Sequence, residues 1–226
     1  MFSYRDHREG DVRIDVAFTD ASLDLQGLRP DFPDRLSEVE AACGVPFARS
    51  TQVHGDAVLV VDAPVPLGQA PTADALVTTT RGLGLMVRVA DCVPVLLADP
   101  ARGVVAAVHA GRAGVVLDIV GGAAQRMREQ GAERLLAWVG PHVCGGCYEV
   151  PAAMREEVVA AVPQTRAETR WGTPSLDLGA GVRAQLGAWD AEVVEVDRCT
   201  REDPTLHSHR RDGAAAGRLA GLVWAS

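Results

Sequence analysis

A cysteine and a histidine, Cys92 and His109, are the first residues of this chain whose types and spacing suggest chemistry. Two apolar runs, Val93 to Ala98 and Val104 to Val108, lie between them and are separated by a short polar stretch. This pattern predicts a β-hairpin. If Ala98 pairs with Val104, Val93 faces His109, and a bulge or the strand twist would bring Cys92 against that imidazole.

A thiolate beside an imidazole forms either half of a metal site or a nucleophile with its base. Taken singly, a buried cysteine is more often an inert apolar residue, and a histidine at a strand end often caps a turn. Two further features favour a site. Asp91 is a charge that packing does not require, and Gly111 and Gly114 free the backbone just after His109.

His54 in the segment Thr51 to Val58 comes at the end of another predicted strand. It is equally compatible with a hydrogen-bonded turn histidine. The alternative is a histidine with a functional role at a strand end.

Composition limits the classes of function. The chain has 226 residues, 47% of them hydrophobic, and a net charge of −8. We expect one domain spanning residues 1–226, and no nucleic-acid partner because duplex binding generally needs a basic face. There is no apolar leader or long apolar run, so we expect no membrane partner. An odd number of cysteines, five, indicates a reducing compartment, and we predict a cytoplasmic protein.

Cys144 and Cys147 have the spacing of one zinc knuckle or a redox pair. No other pair of Cys or His residues is spaced to complete four ligands. We therefore expect that these two cysteines hold no metal of their own.

Hydrophobic periodicity and the positions of Gly and Pro predict the remaining elements. The expected strands are Val12 to Phe18, Ala57 to Asp62, Ala73 to Thr80, Leu83 to Val89, Leu135 to Val139, Leu176 to Leu178, Glu192 to Val196 and a closing strand after Arg218. The expected helices are Pro33 to Cys43, Val115 to Gln130, Pro151 to Ala161 and Gly181 to Leu186. A long surface loop is expected from Asp62 to Thr72.

The segment from His207 to Arg211 is rich in histidine and arginine. Such a run is often a solvated face, but arginine pairs also bind phosphate oxygens through two parallel hydrogen bonds. It is therefore a candidate anion clamp.

Several motifs together resemble the YfiH family, whose members are labelled laccase domain proteins, polyphenol oxidases and purine nucleoside phosphorylases. The motifs are TQVHGDAV (Thr51 to Val58), ADALVTT, ADCVPVLLAD (Ala90 to Asp99), AVHAG (Ala107 to Gly111), the GP…CYEV turn and SHRRDG…GR. The resemblance implies an α+β fold of layered mixed β-sheets flanked by helices. It also implies one zinc ion held by His54, Cys92 and His109.

The activity implied by this resemblance is phosphorolysis of purine nucleosides, including methylthioadenosine, together with deamination of adenosine. Some family members are instead linked to editing of peptidoglycan precursors. The expected catalytic residues are Cys92, His109 and Asp91. The expected contacts to nucleoside and phosphate are Gln52, Arg88, Arg112 and Arg210.

Arg112 stands one place away from the arginine of the family's HAGWRG motif, whose tryptophan is absent here. In extended chain such a shift reverses a side chain's direction. Arg88 lies on the strand that leads to Cys92, and it would restore the lost positive charge.

Two other functions are compatible with the residues. A metal-free hydrolase would use Cys92 as nucleophile and His109 as base. A catalytically impaired binding protein would follow from the changed HAGWRG motif. Copper is disfavoured, because a multicopper oxidase needs a cluster of imidazoles and the chain has six histidines.

Overall fold

Two mixed β-sheets form the centre of the structure, a computed structural model that describes residues 1–226. The five-stranded sheet has the spatial order β1 (Phe2–Arg8), β2 (Ile14–Thr19), β13 (Leu219–Ala225), β6 (Gly84–Val89) and β3 (Phe47–Arg49). The six-stranded sheet has the order β12 (Glu192–Glu195), β9 (Leu136–Val139), β7 (Val93–Asp99), β8 (Val104–Ala110), β5 (Ala75–Thr78) and β4 (Val58–Val60). A separate short pair is formed by β10 (Arg166–Glu168) and β11 (Pro174–Leu176).

Helices cover the outer faces of the two sheets. They are α1 (Phe32–Cys43), α2 (Arg112–Val116), α3 (Ile119–Glu129), α4 (Ala152–Ala161) and α5 (Leu178–Gly187). A further short helix, α6 (His209–Asp212), packs in neither outer layer. Helix α1 packs on the five-stranded sheet, and α2 to α5 pack around the outer face of the six-stranded sheet. The predicted α+β fold of layered mixed sheets flanked by helices is therefore confirmed.

Alternation along the strands divides the core into three apolar layers. In β7, Val95 and Leu97 face the helices, whereas Leu96 and Ala98 face the other sheet. Both faces of β7 and of β8 are buried, which explains why the sequences of these strands are continuous apolar runs. The β7–β8 hairpin is therefore packed between the helices and the other sheet.

The hairpin is present, but its predicted register is wrong by one residue. Asp99, rather than Ala98, pairs with Val104, so His109 faces Pro94. The reason is the loop, in which the Asp99 carbonyl accepts the N–H groups of Arg102 and Gly103. Gly103 has φ +68°, which closes the turn and keeps Asp99 inside the strand.

One other predicted element differs from the structure, and one strand was not predicted. The single helix expected from Val115 to Gln130 is broken between α2 and α3. Asp118 adopts φ 57° there, and its side chain accepts the Gly121 N–H to begin a new helix. The strand β1 was not predicted because its sequence is mostly charged and polar; Trp138 donates to Asp6 of β1 with an N···O distance of 2.9 Å.

The other expected strands and helices are present with ends that shift by a few residues, except that the strand expected from Leu176 to Leu178 lies at Pro174–Leu176 and Leu178 begins α5. Helix α1 ends as predicted at Gly44, which adopts φ 74°. None of the helices is both long and apolar enough to span a bilayer.

Candidate active site

His54, Cys92 and His109 converge on one point, as predicted. Their ligand atoms all lie within 4.8 Å of one another, and Cys92 Sγ is 3.7 Å from His54 Nε2. His109 is near the end of β8, Cys92 immediately precedes β7, and His54 lies in the loop between β3 and β4. Three separate segments of the chain therefore supply one donor each.

Asp74 orients both histidines. Because Ala75 pairs with Val108, Asp74 lies opposite His109, and its Oδ1 is 2.8 Å from His109 Nδ1. The same buried carboxylate accepts the backbone N–H groups of Val53, His54 and Gly55. These bonds hold His54 at φ 63°, in the left-handed backbone region that residues other than glycine rarely adopt.

The imidazoles change the ionisation of Cys92. Burial by itself would raise the pKa of this thiol, but hydrogen bonding and charge from His109 and His54 outweigh burial and lower the pKa to about 6. Burial likewise opposes protonation of His109, yet Asp74 and Cys92 raise its pKa to about 9. Without a cation, the pair at neutral pH is therefore a thiolate beside an imidazolium.

Asp91 and Gly111 explain how Cys92 reaches His109. Asp91 has φ 86°, so the chain turns sharply just before Cys92, and no bulge in the ladder is needed. A Cβ on Gly111 would lie 2.6 Å from His54 Cδ2 and 3.2 Å from Cys92 Sγ. A side chain at position 111 would therefore displace His54.

A cavity of about 770 Å³ opens above this cluster, and His54, Cys92 and His109 form part of its lining. Its walls also contain Phe32 and Tyr148 and four arginines: Arg49, Arg88, Arg210 and Arg218. The guanidinium carbon of Arg210 lies 4.6 Å from the centre of the Tyr148 ring. None of the four arginines has a carboxylate within ion-pair distance, although twelve other arginines of the chain do.

Arg49, Arg88 and Arg218 form one cationic wall of the cavity. Burial, and then the positive charges of Arg49 and Arg218, lower the pKa of Arg88. One of its guanidinium nitrogens donates to the Ser50 carbonyl at 3.1 Å, while Nε has no partner in the protein. This wall is an unneutralised positive charge facing a cavity, which favours an anionic ligand.

The other residues predicted to act at the site have different surroundings. Gln52 lines the cavity, but its amide makes two hydrogen bonds of 2.8 Å to the backbone of Arg88. The Asp91 carboxylate accepts from the hydroxyls of Thr200 and Ser208 and from the Arg210 backbone N–H, at 2.6 to 2.7 Å. Both residues hold neighbouring segments in position.

Arg112, the remaining residue expected to contact substrate, has a different position. Arg112 begins α2, on the chain segment that leaves the cavity after Gly111, and it does not contribute to the cavity wall. Because Arg112 is helical, the extended-chain argument, by which a shift of one residue reverses a side chain, does not apply to it.

Three residues of the site were not singled out from the sequence. Asp74 is in the quoted ADALVTT motif, where a charge just before a buried strand was the available signal. Arg218 is in the quoted GR pair, but nothing indicated its role. Arg49 is only 4% exposed in a short strand, and no local pattern distinguishes it from other arginines.

A second cluster lies outside the cavity. The side chains of Cys144, Cys147, Cys199 and Glu202 place their ligand atoms within 4.8 Å of one another. The sequence argument considered only pairs of Cys or His residues, whereas Cys199 and Glu202, from a segment distant in sequence, lie beside Cys144 and Cys147.

Comparisons with known proteins agree with this architecture. A family model described as multi-copper polyphenol oxidoreductase laccase matches residues 32–226. A Neisseria meningitidis protein described as DUF152 superposes with a TM-score of 0.82 at 26% identity, covering 97% of this chain and 98% of that chain. YlmD from Geobacillus stearothermophilus superposes with a TM-score of 0.81 at 25% identity, covering 93% and 91%.

Sequence relatives are more similar still. A Streptomyces coelicolor protein named purine nucleoside phosphorylase is 55% identical over 76% of this chain and 72% of its own length. A Corynebacterium glutamicum protein of the same name is 42% identical over 99% of this chain and 86% of its own length. The chain belongs to the multi-copper polyphenol oxidoreductase laccase family, the YfiH family whose motifs its sequence carries.

Proposed function

We propose that this protein is a purine nucleoside phosphorylase that uses zinc held by His54, Cys92 and His109. The observation that carries the proposal is the cavity, which joins this three-donor cluster to four arginines without carboxylate partners. A volume of about 770 Å³ falls within the range of about 300–1,000 Å³ typical of small-ligand sites. The names of the relatives support the same substrate class.

The donor set fits zinc. Zinc bonds of about 2.0–2.3 Å in a tetrahedron separate neighbouring ligand atoms by about 3.3–3.8 Å. The 3.7 Å between Cys92 Sγ and His54 Nε2 agrees with this spacing, and a carboxylate behind a ligating histidine is the usual second partner. When bound, zinc would supply a Lewis acid with one open position for an oxygen atom.

A multicopper centre fits the chain less well. It requires further imidazoles close to the first copper. The second cluster of potential ligands contains three cysteines and a glutamate but no histidine. The donor sets thus support one zinc site at the cavity and not a copper cluster.

In the proposed phosphorolysis, an oxygen of phosphate attacks the ribose carbon C1′. The C–N glycosidic bond breaks, and the purine leaves with the bonding electrons and takes up a proton. Arg88, Arg49 and Arg218 would bind the phosphate dianion and orient its attacking oxygen, and Arg210, beside Tyr148, would add a further cation to the lining. Gln52 and Asp91 act as positioning residues for Arg88 and Arg210.

We also propose that adenosine deamination and phosphorolysis of methylthioadenosine occur in the same cavity. The amino group of adenine would leave as ammonia while water supplies the incoming oxygen. The apolar and aromatic lining residues Phe32, Leu67 and Tyr148 would pack against the base or a methylthio group. Five free cysteines support a cytoplasmic location, where thiols stay reduced.

The proposal is tested by incubating the zinc-loaded protein with inosine and phosphate and measuring free hypoxanthine and ribose 1-phosphate. C92A should lose at least about 1,000-fold in kcat/KM, a loss of about 4 kcal/mol of transition-state stabilisation. R210A should raise the KM for phosphate about tenfold, with a smaller effect on deamination. R112A is the matched control and should behave as wild type. Failure of wild-type protein to release base from any purine nucleoside would contradict the proposal.

A second candidate function is supported by the arrangement of Cys92, His109 and Asp74. A low-pKa thiol, an imidazole and a carboxylate in series are also the parts of a metal-free cysteine hydrolase, for example one that acts on peptidoglycan precursors. H54A distinguishes the two functions. It should abolish zinc-dependent phosphorolysis, whereas a cysteine hydrolase would retain activity in the presence of a chelator.

A further inference from the structure

Three cysteine sulfurs and one carboxylate converge outside the lining of the cavity. Cys144 and Cys147 lie in the turn after β9, and Cys199 and Glu202 lie in the loop after β12. Their ligand atoms are all within 4.8 Å of one another, and none of the four residues lines the cavity. The zinc ligands proposed above are a different set.

Ordinary backbone turns preassemble this cluster. The carbonyl of Cys144 accepts the N–H groups of Cys147 and Tyr148 at 2.9 and 3.0 Å, which brings the first two sulfurs to the same side of the turn. The Cys144 N–H in turn points at Cys199 Sγ, 3.4 Å away. The carbonyl of Cys199 accepts the Glu202 N–H at 3.2 Å, which returns Glu202 towards the sulfurs.

The surrounding residues keep the two segments together. His142 and Cys199 form a parallel bridge between them, and Thr200 donates its N–H to the His142 carbonyl. Arg170 pairs with the Glu202 carboxylate, and its own N–H binds the Gly146 carbonyl. A charged partner of this kind orients a ligating carboxylate in many metal sites.

The geometry points to a second metal site, which we propose binds one zinc-class divalent cation through Cys144, Cys147, Cys199 and Glu202. Three thiolates and a carboxylate complete four-coordination from protein atoms alone, as in structural zinc sites. No position is left open for substrate. All five cysteines are free thiols, so the sulfurs are available as ligands.

Such a cation would hold in place the loop after β12, which contacts residues that line the cavity. The residue after Cys199, Thr200, donates to Asp91 at 2.6 Å, and its carbonyl accepts from Arg211. Asp91 directly precedes Cys92 and also accepts the Arg210 N–H. The proposed role of the second site is therefore structural, since it holds the backbone from which the first site is built.

The test counts zinc and thiols in full-length protein purified without chelator, under anaerobic conditions, and supplied with zinc. Wild type should bind two equivalents. C92A and C199S should each bind one, and the double variant should bind none. C43S removes a cysteine of α1 outside both clusters and should still bind two.

Cobalt replacement identifies the ligands independently of activity. Sulfur-to-cobalt charge-transfer absorption increases with the number of thiolates, so cobalt-loaded C92A should retain most of the wild-type absorption and C199S should lose most of it. E202Q should keep the three thiolates and bind the cation more weakly.

The proposal is overturned if folded C92A, with its four remaining thiols titrating as free, binds no metal. It is also overturned if anaerobic wild type shows fewer than five free thiols and a single zinc, because the cluster would then be a disulfide site. C199S that binds as much zinc as wild type would have the same consequence. None of these results depends on whether the protein is a phosphorylase.

Discussion

The two cysteine clusters of this molecule place the same side chain in opposite environments. Cys92 meets two imidazoles beside a cavity, and the hydrogen bonds and charge they supply outweigh burial and lower its pKa to about 6. Cys144 meets two other sulfurs instead, and burial followed by hydrogen bonding and charge from Cys199 and Cys147 raise its pKa to about 12. The neighbours of a thiol, rather than its spacing in sequence, decide whether it is ionised.

The clusters also differ in how the backbone builds them. His54 and Asp91 both adopt positive φ at the first cluster, and the buried Asp74 carboxylate holds that loop through three backbone N–H groups. The second cluster uses turns in which all four ligand residues have negative φ. Of the two clusters, only the one that faces the cavity has residues in such positive-φ conformations.

The largest expected difference is in thiol reactivity. In chelator-treated protein at pH 7, iodoacetamide should alkylate Cys92 about 100-fold faster than Cys144, because only Cys92 is mainly thiolate. The rate at Cys92 should fall as the pH falls through about 6. Timed labelling followed by peptide mass spectrometry measures both rates, and added zinc should protect Cys92. Equal alkylation rates at Cys92 and Cys144 would contradict the proposed difference in their ionisation.

The next effect separates the role of Asp74 in the site from its role in stability. D74N should weaken zinc binding at the cavity about 10- to 100-fold, because the histidines lose their orienting carboxylate. D99N is the matched control. Asp99 is also fully buried and accepts four backbone N–H groups, but it lies at the end of β7 that is distant from Cys92. It should leave zinc affinity unchanged.

Both variants should lower the free energy of unfolding by about 1–3 kcal/mol at pH 7. Burial opposes ionisation, but hydrogen bonds hold the pKa values of Asp74 and Asp99 below their usual range. Each carboxylate therefore stabilises the fold above pH of about 4, and this contribution disappears as the pH falls through the folded pKa. Denaturant unfolding between pH 7 and pH 3 should show a shallower acid loss in each variant than in wild type.

The smallest effect concerns the space at the first cluster. G111A should weaken zinc binding about tenfold, corresponding to about 1.4 kcal/mol, because the added methyl group displaces His54. G122A is its control, since a Cβ there would lie 3.6 Å from Val58 Cγ2 in ordinary contact. That variant should instead stabilise α3 by about 0.5–1 kcal/mol. Zinc titration and thermal unfolding distinguish the two variants. Unchanged zinc affinity in G111A would contradict this prediction, because it would show that His54 moves aside without weakening the site.

Local patterns predicted much of the framework. Strands β7 and β8 are evident because burial on both faces requires continuous apolar runs, and α1 is evident because Gly44 ends its amphipathic stretch. The two errors in this region have local causes. The Asp99 carbonyl closes the hairpin one residue later than expected, and Asp118 at positive φ divides one predicted helix into two.

The donor types and their order along the chain, His54, Cys92 and His109, were determined by the sequence, because strand ends and their polar residues are local features. Only the tertiary structure decided that Asp74 lies opposite His109, that four arginines without carboxylate partners line one cavity, and that Cys199 and Glu202 reach Cys144 and Cys147. These contacts join segments that are distant in the chain. Strand register and layer packing create them, and no spacing between neighbouring residues encodes either.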